Sequence, residues 1–152
     1  MNKNMFLWRD EMIRAKRKKP LPILSFPSIQ IMNISVMDLI SDSKLQAQGM
    51  KLIADRTDAA ASVSMMDLSV EAECFGSTIR FSDNEVPTVI GGIISTMEQA
   101  QKLEVPEVGA SRTGLYIDAV KEAAELITDR PVFAGVIGPF SLAGRLMDVT
   151  SA

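Results

Sequence analysis

Ala59-Ala60-Ala61-Ser62-Val63-Ser64-Met65-Met66-Asp67 is the stretch that decides the fold. Small apolar residues run without a polar face and end on a carboxylate. A strand apolar on both sides is covered on both sides, the habit of a parallel sheet in an α/β protein. Two further short apolar runs lie outward of it. Residues 132–137 are closed by Gly138-Pro139, and residues 22–26 stand between prolines. Helical periodicity fills the intervals. Residues 36–56 form a helical region led by Ser35 and Asp38, spaced as a capping box, with Ser41-Asp42-Ser43 as a point of division. Tyr116, Val120, Ala123 and Ile127 stripe a second long helix. Strands alternating with long helices pair in parallel through right-handed crossovers. The pattern predicts an α/β fold with parallel strands at 22–26, 59–66 and 132–137, neighbours in that order, and helices on one face.

The remaining elements are smaller. Met5, Trp8, Met12 and Ala15 stripe an N-terminal helix that runs into Arg14, Lys16, Arg17, Lys18 and Lys19 and stops at Pro20. Those cations read either as a phosphate or membrane patch or as a solvated helix end matched to the dipole, and the composition favours the second. Residues 70–75 are a short helix closed by Gly76. Residues 78–81 alternate before the turn-forming Ser82-Asp83-Asn84-Glu85, which predicts a small hairpin insert. Ser95 and Glu98 frame a short helix ending near Leu103, and Ser141 caps a helix beginning at Leu142. No repeat and no Gly- or Ser-rich linker divides the chain, so residues 1–152 read as a single unit.

Composition excludes several classes of function. The chain has 152 residues, 47% hydrophobic and 23% charged, with a net charge of -3, which argues against nucleic acid as the main partner. One Cys makes no internal disulfide and suits a reducing, cytoplasmic compartment. There is no His, so neither a Ser-His-Asp centre nor a His-rich zinc site can be built from this chain. No segment reads as a targeting signal or reaches the roughly 20 apolar residues that span a bilayer, so no membrane partner is expected. The 10 Met residues read as core or pocket lining.

In parallel α/β folds ligands bind beyond the C-terminal ends of the strands. That rule selects Ser25, Pro27, Ser28 and Gln30 after the first run, Asp67 with Glu71 and Glu73 after the second, and Gly138, Pro139, Phe140 and Ser141 after the third. Asp67 is the leading catalytic candidate. Its carboxylate either faces the pocket mouth, near Ser25 and Phe140, or caps its own turn at Ser69 or Val70. Ser25, Gln30, Glu71, Gly138, Pro139, Phe140 and Ser141 are the candidate substrate-binding residues. Glu73 reads as solvated and Cys74 as a small buried hydrophobe. Gly91-Gly92 lacks the spacing of a phosphate loop, and no metal ligands are assigned.

The segments Met66-Asp67-Leu68-Ser69-Val70-Glu71-Ala72-Glu73-Cys74-Phe75-Gly76 and Val136-Ile137-Gly138-Pro139-Phe140-Ser141-Leu142-Ala143-Gly144 resemble the second- and third-strand motifs of the uroporphyrinogen decarboxylase superfamily. Within it the chain looks most like the methylcobamide:coenzyme M methyltransferases. The resemblance implies a (β/α)8 TIM barrel, of which this chain would be the N-terminal part, about three β/α units. It implies that Asp67 matches the decarboxylases' aspartate, which holds pyrrole nitrogens. Those decarboxylases carry arginines after the first strand; here the stretch reads Ser25-Phe26-Pro27-Ser28-Ile29-Gln30. For a full-length methyltransferase relative it implies zinc held by His and Cys, a corrinoid protein or methylcobamide partner, and a small thiol acceptor. This chain alone offers no such zinc site, and as a fragment it is expected to be inactive. The alternatives are a uroporphyrinogen decarboxylase-like carboxy-lyase and, from another class, a non-catalytic binding or assembly module. Bare strand edges lead to an expectation of self-association.

Overall fold

The computed structural model describes residues 4–24 and 26–147. Helix α1 (Met5–Arg14) is capped by the Asn4 side chain, which accepts from the amides of Phe6 and Leu7. Its far end is exposed. Lys18 Nζ donates to the carbonyls of Met12 and Ile13, and Lys19 pairs with Asp58. A short helix α2 (Ser28–Met32) follows, in a stretch to which the sequence reading assigned no element. Its end at Asn33, in the left-handed region, is a turn chemistry that Asn tolerates.

The long helical region divides where expected, into α3 (Val36–Ser41) and α4 (Ser43–Arg56). Ser35 and Asp38 form the reciprocal capping box, and Asp42 caps α4 through the amides of Lys44 and Leu45. Strand β1 (Ser62–Val63), α5 (Val70–Cys74) and the antiparallel hairpin of β2 (Thr78–Arg80) and β3 (Thr88–Ile90) come next. They are followed by α6 (Met97–Gln101), α7 (Thr113–Leu126), β4 (Val132–Phe133) and α8 (Pro139–Leu146).

Strands β1 and β4 pair in parallel, Ser62 with Val132 and Val63 with Phe133, as a strand–helix–strand order requires. The ladder is shorter than the apolar runs predict. Ser64 extends it in two ways: its amide donates to Phe133 O at 2.9 Å, and its Oγ accepts from Gly135 N at 2.8 Å.

Three expectations need correction. Among the described residues, 22–24 and 26 join no sheet; one bond, Ala60 N to Pro20 O at 2.8 Å, ties this part of the chain to the β1 side. Pro20 and Pro22 fall on the same edge of an extended chain and both lack N–H, so that edge cannot donate to a ladder. The three-stranded sequential order is therefore replaced by one parallel pair and one hairpin. The second correction is a capping box that sits one residue later than read, on Thr96 and Gln99. In the third, α8 begins at Pro139 and not at Leu142, with proline in the first turn, where its missing N–H is harmless.

The helical layer packs by small residues. Ala47, Met50 and Ala54 of α4 meet Ala123 and Ile127 from the α7 side, with Val132 against them. A second cluster joins Val36, Leu39 and Ile40 of α3 to Met65. Gly49 lets α2 and α4 touch: a Cβ there would lie 2.6 Å from Ser28 Oγ. Trp8 stacks edge-on against Phe133 at 5.5 Å between ring centroids, fixing α1 on β4. No helix among the described residues is long and apolar enough to cross a membrane.

Candidate functional site

Asp67 stands where the chain leaves β1 and turns into α5, and its side chain is wholly buried, at 0% exposure. A carboxylate there must be satisfied completely or it destabilises the fold. Oδ1 accepts from the amide of Ser69 at 2.9 Å and from Ser69 Oγ at 2.6 Å. Oδ2 accepts from Arg112 Nη1 at 2.7 Å and from Tyr116 Oη at 2.9 Å. The carboxylate thus caps its own turn with one oxygen and holds α7 with the other.

Arg112 is the centre of this arrangement. Its Nε donates to Glu73 Oε2 at 2.6 Å and its Nη2 to Ser69 Oγ at 3.0 Å. Its guanidinium lies 5.0 Å from the ring centroid of Phe81, just beyond β2. One side chain therefore ties together α5, the hairpin insert and the start of α7. Burial works against the guanidinium's charge, but the Asp67 and Glu73 carboxylates outweigh it and raise its pKa above the ordinary value. Burial, reinforced by the Asp67 charge, also pushes the Tyr116 phenol well above its usual range. Both groups hold their protons, so the cluster is a charge-compensated, donor-rich frame around one buried carboxylate.

The loop before α7 puts Arg112 there. Gly109 (φ 84°) and Ser111 (φ 50°) turn through the left-handed region, and Gly114 passes so close that a Cβ would meet Gly109 O at 2.9 Å. Cys74 donates its thiol to Ala110 O at 3.0 Å, which fastens the same loop to α5.

Beside the cluster lies a cavity of about 230 Å³. Asp67 and Glu71 stand at its polar end, and the rest is largely apolar, with Thr113, Tyr116, Ile117 and Val120 of α7 facing residues 134–137. Glu71 accepts from the amide of Ile137 at 3.1 Å. The cavity gathers Asp67 and Glu71 from the sequence-derived candidates. Gly138, Pro139, Phe140 and Ser141 lie outside its lining, because the chain turns into α8 at Pro139; Phe140 is 89% exposed. Gln30 is exposed on α2, and Ser25 lies outside the described residues. Glu73, expected to be solvated, is an ion-pair partner.

Sequence reasoning missed Arg112 and assigned Tyr116 only to a helix stripe. One signal was available: Arg112 is the sole cation between Lys102 and Lys121, one helical turn before Tyr116. The residues present do not fit the zinc site that the resemblance implies for a full-length relative. The chain has no His, its one Cys is engaged with Ala110, and no group of three potential ligands stands together among the described residues.

The family model described as uroporphyrinogen decarboxylase (URO-D) matches residues 24–152. A methylcobamide:CoM methyltransferase of Methanosarcina acetivorans is 28% identical over 151 residues, covering 91% of this chain and 44% of the relative. Its counterpart in Methanosarcina mazei is 34% identical over 82 residues, 53% of this chain and 24% of the relative. Among solved structures, a methyltransferase from Methanosarcina mazei superimposes with a TM-score of 0.78 at 20% identity, over 95% of this chain and 45% of that one. The chain thus spans less than half the length of the relatives it matches.

Proposed function

The chain belongs to the uroporphyrinogen decarboxylase family, and from that premise we propose that it forms the N-terminal part of a corrinoid-dependent methyltransferase. The reaction is methyl transfer from a methylcobamide to a thiol such as coenzyme M, in the cytoplasm. The architecture is about the first three β/α units of an eightfold barrel, with a helix before and a hairpin within. One observation carries this reading: the similarity to a methylcobamide:CoM methyltransferase runs through 91% of the chain. The arginine-free stretch 25–30 supports it, since a polycarboxylate substrate needs cationic partners there.

The chain's own residues build one end of the site and not the metal centre. Asp67 is a positioning residue: all its near donors are internal, and it acts by holding Arg112, Tyr116 and the strand-end turn in one geometry. Of the substrate-binding candidates, Glu71 lines the cavity and faces substrate there, whereas Gln30 and residues 138–141 lie outside that lining. Zinc, if the complete enzyme uses it, takes its ligands from elsewhere. Alone, the 152 residues do not turn over.

The test is a single-chain chimera in which this sequence replaces the matched part of the Methanosarcina acetivorans relative. It is supplied with zinc, methylcobalamin and coenzyme M. Loss of the methylcobalamin spectrum with methylation of the thiol is the expected result. Carbon dioxide release from uroporphyrinogen instead would establish the decarboxylase alternative. A folded chimera with neither activity would leave a binding or assembly module.

A further inference from the structure

Helix α8 brings a cation to a place where charge needs a partner. Among the described residues, four Lys or Arg side chains are half-buried: Lys51, Arg112, Arg130 and Arg145. Lys51 pairs with Asp55, Arg112 with Asp67 and Glu73, and Arg130 with Asp129 and the carbonyls of Thr57 and Ala59. The Arg145 guanidinium donates to none of the described residues. A guanidinium stays charged at every ordinary pH, and a charge drawn partly out of water is unfavourable until it is paired. The dipole of α8 favours a cation in its last turn. It favours an exposed cation equally, so it does not account for the burial.

Arg145 lines a cleft of about 260 Å³ between α8, the turn after β1 and the start of β3. Met66 and Leu68 form a wall that this cleft shares with the cavity beside Asp67. Val86 and Val89 add apolar surface, and no carboxylate stands in the lining. Two hydroxyls are present, those of Ser69 and Thr88. Ser69 Oγ is committed, donating to Asp67 and accepting from Arg112. Thr88 Oγ1 donates to Val86 O at 3.3 Å, a long bond that a better acceptor can replace. The cleft thus offers a fixed positive charge, an exchangeable hydroxyl and apolar walls.

We propose that this cleft binds a small organic monoanion, with its carboxylate or sulfonate on Arg145 and its apolar body against Met66, Leu68 and Val89. The planar fork of a guanidinium matches two oxygens of either head group. Arg145 is the sole cation of the lining among the described residues, so the cleft compensates one negative charge. A polyanion would leave its further charges drawn out of water without partners. The inference stands on the chain's own side chains and not on the methyl-transfer reading.

Protection of the guanidinium tests it. The full chain is treated with phenylglyoxal, and modification of Arg145 is followed by peptide mass spectrometry during titration with butanesulfonate or butyrate. The rate at Arg145 should fall along a saturation curve, to about one-tenth when the acid stands at roughly nine times its Kd. Exposed Arg17 should keep its rate, and chloride at equal ionic strength should protect neither. The acid with the lower Kd identifies the head group. A second readout is the methyl signal of Met66, labelled with carbon-13. It should shift with either acid in the native chain and stay fixed in folded Arg145→Gln at the same concentrations. Absence of saturable protection by both acids overturns the proposal. So does equal protection by neutral butan-1-ol, which would make the cleft merely apolar, or a Met66 shift that survives in Arg145→Gln. Should that variant fail to fold, protection in the native chain decides alone. Neither acid carries a thiol, so no outcome depends on methyl transfer.

Discussion

Four donors converge on the two oxygens of Asp67, and that saturation governs what the residue can do. Removing its charge while keeping its shape leaves Arg112 short of its most buried partner. Breaking a buried ion pair costs roughly 3–5 kcal/mol. Asp67→Asn keeps part of the hydrogen bonding, so about 3 kcal/mol is expected, or a fall in Tm on the order of 10 °C, read by circular dichroism. An unchanged Tm would show that the carboxylate is not structural. Tyr116 gives a second test, because it is the only tyrosine of the chain. Its pKa is raised in the folded state by burial and by Asp67. The stability from this shift is therefore full below the unfolded phenol's pKa of about 10 and is lost as pH rises above it. Tyrosinate absorbance should rise only as the chain unfolds, and Tyr116→Phe should flatten the alkaline loss of stability. Titration of the phenol in still-folded protein near pH 10 would contradict the geometry.

Helix boundaries at the level of elements were written in side chains that act locally. The Ser35–Asp38 box satisfies amides within three residues, so sequence spacing was enough to find it; the Asn4 and Asp42 caps act just as locally but went unrecognised in the sequence. The start of α8 was misread because Ser141 is an equally good local cap, and only Pro139 in the first turn decided otherwise. The seat of α2 on α4 depends on a partner seventeen or more residues away. Gly49 makes room for Ser28, which is 1% exposed. Gly49→Ala gains about 1 kcal/mol of helix propensity but forces a contact that costs roughly 1–3 kcal/mol. The expected result is a net loss of stability, visible as a lower urea midpoint with the same slope. A gain would mean that Ser28 moves aside freely.

Taken whole, the described residues carry one parallel strand pair with helices packed beside it, a hairpin fastened by Arg112, and an open cavity beside Asp67. The absence of His and the single engaged Cys set a further expectation for the isolated chain. After dialysis against buffer with zinc, metal analysis should find far less than one equivalent bound. Stoichiometric zinc would require ligands that the cluster of Asp67, Glu71 and Glu73 does not present in this arrangement.

The sequence by itself determined the class of fold, the parallel sense of its strand pair, the Ser35–Asp38 capping box, the hairpin and the family motifs. Those rest on periodicity and on contacts between near neighbours along the chain. It placed Asp67 at a strand end but left both uses of the carboxylate open. Tertiary structure alone decided that one oxygen caps Ser69 while the other reaches Arg112, 45 residues away, and Tyr116, 49 residues away. It also decided that residues 22–24 and 26 stay out of the sheet. The physical reason is the same in each case. Local hydrogen bonds are fixed by spacing, whereas the partner of a buried charge or an apolar face is chosen by whatever the folded chain brings within reach.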